Sequence, residues 1–324
     1  MDFFKSYLLK FCTQIRRFIH EIWAILFPAL YVKYYYKKAA NKKLNLRDPK
    51  GYYEKVQWLK VYSDTSLWTE TTDKFKVRKY VEECGLSHIL VKLYGVWEKA
   101  EDIDFASLPE KFVLKPNNCF GRVILVYDKG QIKIDETRNL LNKWVRERYG
   151  LVSFQPHYWN IERRIIAEEL LEDSSINEFS KSLIDYKFFC IHGEPQIILV
   201  LFNRNNTTIG LTEAKTRNKK RACVYDMDWN MRPEIISGSF KHDIPVELPK
   251  PMCFDEMKQI CRILSNPFPQ VRVDLYEVGG KVYFGELTFT DGGNMETFTS
   301  DYYLKLGEMI DLSKAQRRTK KFIV

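Results

Sequence analysis

Residues 271–290, VRVDLYEVGGKVYFGELTFT, read as two strands around Gly279-Gly280, with an acid in each arm. Strand side chains alternate between faces, so the register of this hairpin decides where the acids go. A two-residue loop at Gly279-Gly280 would put Asp274 and Glu286 on opposite faces of the ribbon. A three-residue loop, Val278 to Gly280, gathers Val271, Val273, Leu275, Tyr283, Leu287 and Phe289 on one face and Arg272, Asp274, Glu286 and Thr288 on the other. The second register is expected, because it offers a core one uninterrupted apolar face. Its other face is then a compact cluster of two acids, an arginine and a hydroxyl. Paired carboxylates repel, so the cluster needs a raised pKa or a cation. Hard oxygen ligands such as the Asp274 and Glu286 carboxylates suit Mg²⁺, which usually takes one or two of them and fills its octahedron with water and substrate phosphates. The plainer alternative is an exposed hairpin face with its charges in solvent.

The chain has 324 residues, of which 45% are hydrophobic and 15% aromatic, enough for two domains or for one domain with lobes. Its seven cysteines are scattered, with no C-x-x-C pair and no histidine at metal spacing. That pattern speaks against a zinc site and for free thiols in a reducing, cytoplasmic setting. The net charge of +9 sits at the ends: residues 1–43 carry +7 and residues 312–324 carry +5, leaving the body slightly acidic. A nucleic-acid enzyme would carry its basic stripe across the body, so no nucleic-acid partner is expected.

Near the N-terminus, Phe4, Leu8, Phe11, Ile15, Phe18, Ile22 and Leu26 recur at steps of three or four, an amphipathic helix ending near Pro28. The longest charge-free run, Ile22 to Val32, is far too short to span a bilayer. Tyr31, Tyr34, Tyr35 and Tyr36 alternate with Lys33, Lys37 and Lys38, a composition suited to the headgroup layer of an anionic membrane. Packing of this segment on the protein's own body is the competing expectation.

From Arg47 to Leu108 the spacing predicts mostly helix, including YYEKVQWLKVYSD and TDKFKVRKYVEECG, the latter capped by Thr72 or Asp73 and closed by Gly85. After Pro109 the texture turns to strands. In FVLKPNNCFGRVILVYDKG a strand ends in Lys115, then a polar turn with Asn117 and Gly121 leads into another strand; backbone N–H groups of such a turn can approach phosphate. It is no Walker loop, since G-K-[ST] opening a helix is missing. RRIIAEELLED is a strand running into acids, and in SLIDYKFFCIHGEPQIILVLFNR a lysine, Lys187, stands within an alternating run. A lysine inside a strand is costly to desolvate unless it faces an anion or a wet cleft. NRNNTTIGLTEAKTRNKKRA, residues 203–222, reads as a long surface loop.

Taken in order, strand-lysine-turn, strand-acidic hinge, strand-lysine, then R-x-D and G-E-L-T on a hairpin, the chain resembles the ATP-grasp enzymes, and within them the TupA-like branch named for teichuronopeptide biosynthesis. The blocks EKVQWLK, DKFKVRKYV, LPEKFVLKPN, IIAEELL, DYKFFCIHGEPQ, VYDMDWN, FPQVRVDLYEVGGKVYFGELTFT and LGEMIDL carry the likeness over about residues 44–311.

The resemblance implies an α+β fold in which two lobes clasp ATP. It divides the chain into a basic helix and linker at 1–43, a helical subdomain at 44–108, ATP-grasp lobes at 109–311 and a basic tail at 312–324. Lys115 and Lys187 would bind phosphates, with Asn117 and Gly121 in the phosphate turn. Glu168, Glu169, Leu170 and Leu171 would frame adenine, with Glu172 or Asp173 toward ribose. Asp274, Glu286 and Thr288 would hold Mg²⁺, and Arg272, with Lys187, would act on the transferred phosphoryl group.

Two departures stand out: Asn117-Asn118-Cys119-Phe120-Gly121-Arg122 replaces the smaller phosphate turn usual in the branch, and Thr288 stands where many ATP-grasp enzymes have Asn. The activity implied is a carboxylate–amine ligase working through an acyl phosphate. Its partners would be an amino acid or other amine and a uronic-acid sugar of a surface glycan or its lipid-linked precursor, at the inner face of the membrane. A phosphoryl or glycosyl transferase of the same pathway, or an inactive scaffold with this fold, are the alternatives.

Overall fold

The computed structural model describes residues 2–172, 180, 182–203, 221–237, 247–290, 298–319 and 322, with side chains from residue 12 onward. Two helices lead: α1 (Asp2–Leu26) and α2 (Pro28–Ala40). Pro28 sits in the first turn of α2, where its missing N–H is no loss, and the chain bends there. The linker expected after residue 28 is therefore a second helix.

Three helices follow, α3 (Tyr52–Tyr62), α4 (Ser66–Thr72) and α5 (Val77–Glu83). Thr72 closes α4, while Oδ1 of Asp73 accepts from the backbone N–H of Phe75 at 2.8 Å and of Lys76 at 3.3 Å, so of the two expected caps Asp73 serves. Gly85 has φ 76° just past α5, as a helix stop requires.

Two antiparallel sheets follow. The smaller has the order β1-β4-β2-β3, formed by β1 (Leu93–Trp97), β2 (Phe112–Pro116), β3 (Ile124–Val126) and β4 (Ile165–Glu168), with α6 (Ile134–Arg146) between β3 and β4. The larger has the order β7-β6-β5-β8-β9: β5 (Asp185–Ile191), β6 (Glu194–Phe202), β7 (Arg221–Tyr225), β8 (Gln270–Val278) and β9 (Lys281–Thr288). Helix α7 (Phe254–Ser265) packs on β5, β6 and β8, and α8 (Ser300–Met309) packs on α3. The boundary expected at Pro109 falls inside the smaller sheet, because edge strand β1 precedes it. Most of the loop expected at 203–222 lies outside the described residues.

Each sheet has its own core. Phe112, Leu114, Ile165 and Ala167 meet Leu141 and Trp144 of α6 in one; Phe188, Val273, Leu275 and Phe254 belong to the other, which extends into the N-terminal helices. Two cores make two lobes.

The hairpin β8–β9 reaches the expected facing by another route. Val278 pairs with Lys281, so the loop is only Gly279-Gly280, with φ 58° and 72°, both in the left-handed region a tight hairpin turn demands. The odd residue is in β9. Asp274 pairs with Glu286 but Leu275 pairs with Phe284, leaving Gly285 as a bulge. A Cβ on Gly285 would stand 2.9 Å from the Asp274 carbonyl oxygen, so glycine is required. The bulge also corrects one assignment: Tyr283 pairs with Tyr276 on the charged face, while Val282 and Phe284 fill the core side.

Gly285→Ala is expected to lower stability by roughly 1–3 kcal/mol through this clash, read as a shift in urea midpoint; an unchanged midpoint would show that the bulge relaxes freely.

A second expectation concerns Lys60 of α3, buried and donating to Gln57 Oε1 at 2.7 Å and to the Ser153 carbonyl at 3.3 Å. Burial pushes its ammonium down to about 7. The unfolded chain keeps that proton up to about pH 10, so between about pH 7 and 10 it binds more protons than the folded protein. Stability therefore rises with pH across this window, and Lys60→Met should flatten the melting temperature against pH.

Candidate active site

Side chains two apart on a strand share a face, and three such pairs stand side by side: Asp185 and Lys187 on β5, Arg272 and Asp274 on β8, Glu286 and Thr288 on β9. The registers place Lys187 against Asp274 and Asp274 against Glu286, a row across three strands on the face opposite the core residues Val273 and Leu275. The row is chemically continuous. Lys187 Nζ pairs with Oδ2 of Asp274, and lies 2.8 Å from Oδ2 of Asp185. Arg272 reaches Asp274 with Nε at 2.7 Å and Nη2 at 2.8 Å, a two-pronged contact. Its Nη2 also donates to Thr288 Oγ1 at 3.1 Å and approaches Glu286 Oε1 at 3.5 Å. Thr288 Oγ1 donates to the same Glu286 oxygen at 3.0 Å.

Asp274, Lys187 and Arg272 are all buried. Burial would push the Asp274 carboxyl up, but the Arg272 guanidinium and Lys187 ammonium outweigh it and hold it below the usual carboxylate range. The repulsion expected between the two acids is thus relieved by protein cations. Glu286 differs from Asp274: its side chain is a quarter exposed, and among the described residues nothing bonds to its Oε2. Among those residues no group of three or more His, Cys, Asp or Glu side chains is arranged to hold a metal. Mg²⁺ needs only one or two carboxylates, and the free oxygen of Glu286 fits that need; Asp274 would have to exchange a cation first.

The smaller sheet carries the second group. Lys115, facing away from α6, places Nζ 2.5 Å from Glu168 Oε2, and Arg78 of α5 stands 3.6 Å from the other oxygen of Glu168. Glu169 donates its backbone N–H to the Lys92 carbonyl at 2.9 Å, Leu170 and Leu171 are half-buried, and Glu172 is exposed and paired with Lys111 at 2.7 Å. Asp173 lies outside the described residues.

In the turn after β2, Asn117 is fully buried. Its amide donates to Asp73 and to the Glu162 carbonyl, both at 2.8 Å, and its oxygen accepts from the Arg164 N–H at 2.7 Å. With both ends occupied, this side chain anchors the turn. Gly121 has φ 73° and is exposed, with open space around it.

Four residues not singled out in the sequence belong here. Asp185 and Arg78 complete the ion pairs. Tyr149 and Tyr158 meet edge to face at 4.7 Å; burial, followed by Glu286, Tyr149 and Cys119, pushes the Tyr158 phenol well above its ordinary value. Burial likewise pushes Tyr149 up to about 12, with Cys119 and Glu286 adding to the rise. Both rings therefore sense the acid of the larger sheet and the turn of the smaller one. Asp185 was detectable, since D-x-K at 185–187 mirrors R-x-D at 272–274; the tyrosines and Arg78 carry no local signal.

A two-lobed α+β body, with a buried lysine–acid row on one sheet and a lysine–acid pair beside a glycine turn on the other, has the parts of a nucleotide-dependent transferase or ligase. The family described as TupA-like ATPgrasp matches residues 54–311, and the chain belongs to it. That membership places it among the ATP-grasp enzymes, which bind ATP. No curated protein matches the chain.

Among solved structures it is similar to D-alanine–D-alanine ligase from Bacillus anthracis, with TM-score 0.46 and 15% identity over 78% of this chain and 72% of that one. It is also similar to L-amino acid ligase from Bacillus licheniformis, with TM-score 0.42 and 14% identity over 76% and 49%. A third is the ATP-grasp ligase PsnB complexed with minimal precursor, with TM-score 0.40 and 12% identity over 80% and 66%.

The row separates two acids by their surroundings. Asp274→Asn strands two buried cations and should cost roughly 3–5 kcal/mol, whereas Glu286→Gln, at the wet edge, should change stability by no more than about 1 kcal/mol. Urea denaturation of both variants checks this; equal losses would contradict the assigned surroundings.

Proposed function

We propose that the protein joins an amino acid or similar amine to the carboxylate of a uronic-acid sugar, in a surface polysaccharide or its lipid-linked precursor, consuming ATP with Mg²⁺. The observation that carries this reading is the row Lys187–Asp274–Glu286 with Arg272 and Thr288, lying within the stretch that matches the family. Lys115 and Lys187 are each held by carboxylates. An incoming phosphate offers each ammonium a stronger anion, so ATP would take Lys115 from Glu168 and Lys187 from Asp274, while Arg78 and Arg272 keep the released acids neutralised. Glu286, through its free oxygen, with Asp274 and Thr288, are the residues that would hold Mg²⁺, which when bound neutralises charge on the phosphates.

In this reading the sugar carboxylate attacks the γ-phosphorus and ADP leaves, giving an acyl phosphate. The amine then attacks the acyl carbon, phosphate departs, and the amine loses a proton. Arg272 steadies the phosphoryl group in flight, and the tyrosine pair 149 and 158 helps exclude water. The face of the smaller sheet that bears Ile166 and Glu168, with Glu169, Leu170 and Leu171, would receive adenine, and Glu172 or Asp173 the ribose.

Incubation of the protein with ATP, Mg²⁺, candidate uronic acids and amino acids should yield ADP and an amide detectable by mass spectrometry. AMP would exclude acyl-phosphate chemistry, and a phosphorylated or glycosylated product without an amide would indicate a transferase. Lys115→Ala should weaken ATP binding by about 10- to 100-fold while leaving the fold intact; calorimetric titration reads the difference.

A further inference from the structure

Helix α1 is turned inside out. The side facing the body carries Glu21, 5% exposed, held by Arg17 Nε at 3.2 Å and by Arg148 Nη1 at 2.9 Å, next to the fully buried Ala24. The side facing solvent carries the large apolar residues: Phe18, Ile19, Ile22 and Leu26 are 59, 58, 40 and 63% exposed. Around the bend at Pro28 the stripe continues through Phe27 and Leu30, 55 and 58% exposed. A helix of a globular protein buries its apolar stripe and shows its charges. Here an acid is inside and the apolar stripe is outside.

The hairpin is nevertheless well anchored. In α2, Tyr31 and Val32 are buried, Tyr36 is nearly so, and Tyr31 Oη donates to the Val152 carbonyl at 2.7 Å. This settles the competing expectations for the two helices separately: α2 packs on the body, so Tyr31 and Tyr36 are core residues and not headgroup contacts, while the described part of α1 presents its apolar side outward.

Charge selects the occupant. Leu30, Lys33, Tyr34 and Lys37 share a face of α2 at helical spacing, so lysines border the stripe where it ends, and Arg16 borders it on α1. Residues 12–43 hold seven Lys or Arg and one acid, Glu21, which is already paired. A second copy would bring the same positive charge to the same face, which disfavours self-association. An anionic surface is complementary in both respects, accepting apolar side chains in its depth and lysines at its rim. No helix among the described residues is long and apolar enough to cross a membrane, so contact in the plane of the interface is the geometry left.

We propose that the outward stripe of α1 and the start of α2, with Arg16, Lys33 and Lys37 as its rim, is a docking surface for an anionic lipid bilayer. The proposal gives a surface to the membrane location expected from the sequence, and is independent of the ligase chemistry. Docking would hold the body, and with it the candidate site, close to a lipid-carried acceptor.

Flotation of the full chain with vesicles tests it. With about one-third phosphatidylglycerol in phosphatidylcholine the protein should float, and with phosphatidylcholine alone it should float poorly. The triple variant Phe18→Glu, Ile19→Glu, Leu26→Glu should lose vesicle binding at least about tenfold with its melting temperature and ATP affinity unchanged, because all three side chains are more than half exposed. Lys33→Gln and Lys37→Gln should each weaken binding about fivefold at low salt and little at high salt. Equal flotation of the triple variant, absence of flotation by the unmodified chain, or a concentration-dependent dimer that the triple variant abolishes would each overturn the proposal. ATP titration of the same samples reports on the nucleotide site separately, so failure of one reading is not mistaken for failure of the other.

Discussion

A carboxylate buried in a sheet is tolerable only if cations are brought to it, and Asp274 receives two, Lys187 from the strand on one side and Arg272 from two positions along its own. Removing any one partner strands the others in a medium of low dielectric. The row therefore fixes the register of β5, β8 and β9 together: a slip of one residue would push Asp274 toward Phe188 and α7 and expose Val273. The Gly285 bulge belongs to the same constraint, since without it Glu286 would point to the core side and Arg272 would lose a second acid to steady.

The same constraint leaves the molecule ready for an anion. Lys187 is buried and Lys115 half-buried, and both are already held by carboxylates, with an arginine close to each acid. Exchanging a carboxylate for a phosphate then requires no net uncovering of charge. Two separate cores allow the lobes to be distinct bodies, while Tyr149 and Tyr158 meet edge to face near the charged row.

Much of the site was readable because strands impose a simple period. Arg272 with Asp274, and Glu286 with Thr288, share a face whatever surrounds them, and Lys187 in an apolar strand demanded an anion. The helices at 52–62 and 77–83, the strands at 112–116 and 124–126 and the strand bearing Lys187 followed from apolar spacing and turn residues. The bulge did not, because an odd loop and an odd strand residue produce the same facing of Asp274 and Glu286; only the close approach of Gly285 to the Asp274 backbone distinguishes them. Asn117 had the composition of a phosphate turn, yet burial gave its hydrogen bonds to Asp73, Glu162 and Arg164.

The sequence by itself determined the family, the alternation that sets the acids beside Arg272, and the amphipathic character of the N-terminus, since each is a property of spacing along one chain. Tertiary structure alone decided which side of α1 faces the body, that its apolar stripe faces solvent while α2 buries Tyr31 and Val32, and that Arg78 pairs with Glu168 and Asp185 with Lys187. These depend on which distant segments meet. Periodicity shows that a helix has two faces, but only the position of Arg148 beside Glu21 determines which of them is inside.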